Sequence, residues 1–87
     1  MLQEFMEKFI ALHGAKANVQ IKHVLYGNQK MNKCVLHPFA DGDRIGLIIE
    51  GEERYVTMDE LLDVFIGGDR CYIKSAVMEL YINNIEL

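Results

Sequence analysis

The stretch Thr57-Met58-Asp59-Glu60-Leu61-Leu62-Asp63-Val64-Phe65-Ile66-Gly67-Gly68 decides the fold. A threonine with a glutamate three residues on is the signature of a capping box, and Val56 and Leu61 stand at the spacing of the accompanying hydrophobic staple. Behind that cap Met58, Leu61, Leu62 and Phe65 share one helical face. Asp59, Glu60 and Asp63 fall in the first turns, where carboxylates meet the positive end of the helix dipole. Gly67-Gly68 then supplies a stop. The spacing predicts a helix from Met58 to Ile66, and a helix with one apolar face needs a sheet to cover.

That sheet is legible upstream. Val19, Ile21, His23 and Leu25 alternate with Asn18, Gln20 and Lys22, a period of two that predicts a half-buried strand. Tyr26 to Asn32, with Gly27-Asn28 inside it, reads as a turn, and Lys33 to His37 as a short strand ended by Pro38, which cannot donate to a ladder. After the turn signal Asp41-Gly42-Asp43, Ile45, Leu47 and Ile49 alternate in a third strand. Arg54 to Thr57 returns as a fourth across the polar loop Glu50-Gly51-Glu52-Glu53. At the N-terminus Leu2, Phe5, Met6, Phe9, Ile10 and His13 recur at helical spacing, with Gly14 as the stop.

Downstream, Cys71 to Lys74 predicts a strand. Val77, Met78, Leu80, Tyr81 and Ile82, with Glu79 as the one charge among them, predict another with apolar residues on both faces. Such a strand is either central in its sheet or covered by a partner on its second face, because exposed apolar edges invite pairing with another chain. These five residues form the candidate interface. The expected fold is α+β in the order α-β-β-β-β-α-β: two helices on one antiparallel sheet or small open barrel, forming a single domain over residues 1–87.

Composition bounds the function. The chain has 87 residues, 51% of them apolar and 25% charged, so it folds without needing a disulfide or a metal. Its two cysteines, Cys34 and Cys71, are expected as free thiols of a reducing cytoplasm, since Glu4, Glu7 and Lys8 interrupt any leader-like apolar run. No run is long enough for a membrane span. With nine basic against thirteen acidic residues the net charge is −4, which weighs against a dedicated nucleic-acid binder. A basic face assembled only by the fold is left open.

Constellations for chemistry are sparse. Asp41, Asp43, Gly46 and Glu52 occupy positions one, three, six and twelve of a calcium loop, but Ile45 stands where an oxygen ligand is required. Cys34 and His37 have metal-pair spacing, yet residues three apart on a strand point to opposite faces. Cys71 is the one nucleophile worth naming, and nothing supplies it with a base. No phosphate loop is present, since Gly67-Gly68 follows its helix rather than preceding one. The sequence therefore predicts a non-catalytic protein-binding module that self-associates, with no cofactor and no metal.

The order of elements also resembles the Sm-like family, which includes the bacterial Sm-like RNA chaperone. A helix opening with Leu2-Gln3, a meander of short strands and a helix before a last strand carry the likeness, over residues 2 to 74. The resemblance implies a ring of small bent barrels binding single-stranded RNA, with Gln3 at a base-contacting position and Gly27-Asn28 near the first turn. Where that family carries a lysine-histidine segment, this chain has Tyr55-Val56-Thr57-Met58.

Overall fold

A computed structural model describes residues 2–86. One helix, α1 (Leu2–Ile10), precedes eight strands: β1 (Lys16–His23), β2 (Gly27–Val35), β3 (Pro38–Asp41), β4 (Arg44–Ile49), β5 (Glu52–Thr57), β6 (Leu61–Gly67), β7 (Arg70–Ser75) and β8 (Met78–Glu86). They form two antiparallel sheets, one of five strands in the order β2-β1-β8-β7-β6 and one of three in the order β3-β4-β5. The chain passes between the sheets at two corners, Leu36-His37 and a single 3-10 turn, Met58–Glu60.

The expected second helix does not form, and this corrects the two-helix, single-sheet architecture. Thr57 makes no side-chain cap to a backbone N–H; its hydroxyl instead donates to the Glu60 carboxylate at 2.7 Å. With the cap spent on a side chain, only one turn follows. The residues beyond it then alternate in β6, with Val64 and Ile66 packed on the core and Asp63 and Phe65 exposed. Gly67-Gly68 is not a helix stop. Ile66 pairs with Cys71 and Gly67 with Arg70 across the two-residue loop Gly68-Asp69, and Gly68 sits at φ +59, the left-handed region that the first residue of a tight hairpin demands. Val64, Phe65 and Ile66 are β-branched or aromatic, and pairing with β7 buries half of them as a strand does.

Two further boundaries shift. The expected turn from Tyr26 to Asn32 contracts to Val24-Leu25-Tyr26, closed by Gly27 at φ +78, and β2 runs through the rest. Pro38 opens β3 instead of merely ending β2. The strands around Ile45–Ile49 and Arg54–Thr57 form the expected hairpin, with Ile49 opposite Glu52.

The core lies between the sheets. Val19 and Ile21 of β1, Leu80 and Ile82 of β8, Cys71 and Ile73 of β7, and Ile45, Leu47 and Ile49 of β4 all face inward. Phe5 and Phe9 of α1 stack at 5.7 Å between ring centroids and cap this core where the helix meets β3 and β6. The C-terminal segment is a strand, as expected, and it is the central one, flanked by β1 and β7.

Candidate functional site

Central placement decides the fate of the expected interface. Met78, Leu80 and Ile82 are buried in the protein's own core, while Tyr81 points to the opposite face and Val77 precedes the strand. That opposite face is not apolar: it carries Glu79, Tyr81 and Asn83, all half-buried, and the Tyr81 hydroxyl donates to the Glu79 carboxylate. Three of the five interface candidates are thus unavailable to a partner.

The apolar surface that is available lies elsewhere, at the tip of the β1–β2 hairpin. Val24, Leu25 and Tyr26 are 70%, 79% and 85% exposed, three large apolar side chains in succession. The alternation of β1 extends two residues too far in the sequence reading, which counts Leu25 as a core position; the strand ends at His23. The tip is held rigid from below. The Leu25 and Tyr26 N–H groups donate to His23 Nδ1 at 3.0 and 3.4 Å, and the Tyr26 ring lies 4.5 Å from the His23 ring. An accepting nitrogen carries no proton, so this turn uses the neutral imidazole with its hydrogen on Nε2. Val24 N–H donates to the Val77 carbonyl at 3.1 Å, tying the tip to the β7–β8 turn. That turn is itself fixed by buried Ser75, whose hydroxyl donates to the Met78 carbonyl and accepts from the N–H groups of Val77 and Met78 at 3.0–3.3 Å.

A second apolar feature is the groove between α1 and β6. Leu2, Phe5, Val64, Phe65 and Ile66 line it, and Glu4 and Lys8, paired at 3.2 Å, form its polar rim. Leu62 nearby on the same edge strand is 72% exposed.

The third feature is the outer face of the five-stranded sheet. Phe65, Tyr72 and Tyr81 stand opposite one another on β6, β7 and β8, with Gln20 and then Lys30 continuing the row across β1 and β2. Ring centroids are 5.5 Å apart for Phe65–Tyr72 and 6.2 Å for Tyr72–Tyr81. Lys74 lies 4.8 Å from the Tyr72 centroid and 5.8 Å from that of Tyr81, and Lys22 lies 5.5 Å from Tyr81 on its other side. The Tyr72 hydroxyl donates to Asp63 at 3.0 Å. These bonds to carboxylates, first of all the causes, hold the Tyr72 and Tyr81 hydroxyls above the usual phenol range.

The remaining sequence candidates do not converge. Asp41 and Asp43 lie at one end of β4 and Glu52 at the other, with Asp41 turned to Arg44 at 3.4 Å, so no calcium loop forms. Gly46 of that pattern serves packing: it lies against the β5 backbone. Cys34 lies on β2 and His37 in the corner beyond it, ring to ring with His13 at 5.3 Å. Among the described residues no three His, Cys, Asp or Glu side chains are grouped to hold a metal ion. Cys71 is buried, and burial pushes its thiol up to about 12, which removes the thiolate that a nucleophile requires. Gln3 lies on α1, which packs near β6, whereas Asn28 lies on β2 at the other edge of the sheet. No helix among the described residues is long and apolar enough to cross a membrane.

Comparison with protein-family models, with curated proteins and with solved structures finds no match to this chain.

Proposed function

We propose that this protein is a non-catalytic interaction module that binds further copies of itself through the β1–β2 hairpin tip. The observation that carries this reading is the run Val24-Leu25-Tyr26, exposed by 70–85% on a turn that hydrogen bonds fix in place. Burying one such side chain stabilises a contact by about 1.5–3 kcal/mol. A turn already ordered loses little conformational freedom on docking, so more of that gain appears as affinity. Singly scattered apolar residues need no explanation, but a contiguous exposed group marks a contact site.

The surface of matching chemistry on a second copy is the α1–β6 groove, with its apolar floor and its paired Glu4–Lys8 rim. Tip into groove is a head-to-tail contact, which builds rings or chains instead of closed two-fold dimers.

Leu25→Ser and Leu2→Glu test this, since one alters the tip, the other the groove, and both sites are exposed. Light scattering coupled to gel filtration is expected to show an oligomer for the unaltered chain and a monomer for each variant. Mixed in equal amounts, the variants retain one intact tip and one intact groove between them and are expected to form a dimer. A monodisperse monomer for the unaltered chain at high micromolar concentration sinks the proposal. Variants that stay monomeric when mixed refute the tip-to-groove arrangement.

A further inference from the structure

The nine basic side chains divide cleanly. Lys8, Arg44 and Arg54 each sit within 3.4 Å of a carboxylate, and all three lie off the five-stranded sheet. Lys16, Lys22, Lys30, Lys33, Arg70 and Lys74 all lie on that sheet, and among the described residues none of the six has an acidic partner at ion-pair distance. Strand alternation and register put Lys16, Lys22, Lys30, Arg70 and Lys74 on the outer face, beside the row Phe65-Tyr72-Tyr81. The two carboxylates nearest that row, Asp63 and Glu79, are occupied by the tyrosine hydroxyls. Asn18 and Asn83, opposite each other, and Gln20 share that face, with the Asn18 amide oxygen accepting from the Lys33 N–H at 3.0 Å.

We infer that this outer face binds single-stranded nucleic acid. Unpaired cations spread across three strands, β1, β2 and β7, meet a backbone of repeated phosphates, whereas a lone anion needs only one or two of them. Aromatic rings bind bases by their π-faces, and side-chain amides both donate and accept, as base edges require; Tyr72 and Tyr81 are half-buried. Phe65, at 42% exposure and on the edge strand, offers the most open ring. A depression of about 380 Å³ between Phe65, Arg70, Tyr72, Tyr81 and Asn83 gives a base room beside it. A duplex hides its bases and would use the cations alone. An acidic polypeptide would leave the aromatic row idle.

Fluorescence anisotropy with labelled twelve-nucleotide oligouridylate and oligothymidylate tests the inference, at salt from 50 to 200 mM. The Leu25→Ser variant is measured in parallel, so that any loss of self-association is separated from loss of binding. Micromolar affinity is expected, falling with salt, and K22A/K30A is expected to flatten the slope of log affinity against log salt by about 0.7 per cation removed. Phe65→Ala is expected to weaken binding about tenfold through lost stacking, and Arg54→Ala, off the five-stranded sheet, to leave it unchanged. Amide shifts in β1, β7 and β8 are expected to move on titration while those in β3, β4 and β5 stay. No binding at 100 µM protein in 50 mM salt overturns the inference, as does a loss with Arg54→Ala equal to that with K22A/K30A. Equal affinity for duplex of the same length, or displacement by polyglutamate at equal charge, overturns it too.

Discussion

Gly46 is the position where one added methyl group should do most damage. It stands in the middle of β4 opposite Tyr55 of β5. A Cβ there would meet backbone: the Arg54 carbonyl oxygen, the Tyr55 Cα at 2.6 Å and the Arg54 carbonyl carbon at 2.9 Å. Ordinary contact begins near 3.4 Å, so the two strands must part by close to an ångström, and backbone cannot rotate aside as a side-chain end can. Two or three ladder hydrogen bonds around the site are then lost at about 1 kcal/mol each, on top of about 1–3 kcal/mol of overpacking strain. The total for Gly46→Ala is about 3–6 kcal/mol, set against the roughly 4–13 kcal/mol that a chain of this size holds in all. Urea unfolding, followed by circular dichroism at one fixed protein concentration, reads this directly. With a denaturant slope of about 1 kcal/mol/M, the midpoint should fall by about 3 M or the variant should fail to fold. A midpoint shift under about 1 M refutes the close approach of β4 to β5.

Ser75→Ala leaves the Val77 and Met78 N–H groups and the Met78 carbonyl without their hydroxyl partner. It should cost about 2 kcal/mol in the same unfolding measurement, and a loss under 0.5 kcal/mol would show that water replaces the hydroxyl. Thiol labelling at pH 8 should modify half-exposed Cys34 in the native protein and Cys71 only after denaturation; fast native labelling of both contradicts the burial of β7. Cys71 also sets a pH dependence: its folded value of about 12 lies above the ordinary thiol value of 9.0. The unfolded chain therefore loses this proton first, so the buried thiol's contribution is full below pH 9 and declines between 9 and about 12. Comparing the unaltered chain with Cys71→Ala should show a smaller fall in stability over that window for the variant, and parallel curves would refute it.

The strands were legible where one face is buried and the other wet. Val19 and Ile21 against Gln20 and Lys22, or Ile45, Leu47 and Ile49 in β4, alternate because a two-layer core takes every second side chain. Legibility failed in Met58–Gly67, where Leu61, Leu62 and Phe65 satisfy a helical period as well as a strand's. What tips the balance lies beyond the segment itself: pairing of Ile66 with Cys71 and of Val64 with Ile73 through the Gly68-Asp69 loop. A glycine-aspartate pair between Phe65-Ile66 and Cys71-Tyr72-Ile73 was the available hairpin signal, and the apparent capping box outweighed it. The hairpin tip was missed for a related reason. Leu25 keeps the parity of β1, so only the chain reversal after His23 reveals it as exposed.

The acidic total misleads about the outer sheet face because net charge is a sum over surfaces that a ligand does not meet together. Asp41, Asp43, Glu50, Glu52 and Glu53 belong to the three-stranded sheet and its turns, and Glu4 and Glu7 to α1. Stacked sheets lie about 10 Å apart, and side chains on the far side of the second sheet stand further away again. The Debye length at physiological salt is about 8 Å, so those carboxylates are largely screened from a strand lying on the five-stranded sheet. Lys22, Lys30, Arg70 and Lys74 are at contact distance and are not screened. The net charge of −4 acts at long range, where it slows encounter at low salt. The local cations act at short range, where they set the affinity. Raising salt should therefore speed association while weakening the complex, a pair of opposed trends that a uniformly acidic or uniformly basic surface cannot produce. Stopped-flow anisotropy across 20 to 200 mM salt resolves the two, and an association rate that falls together with affinity would show that the charge is not segregated as the two sheets place it.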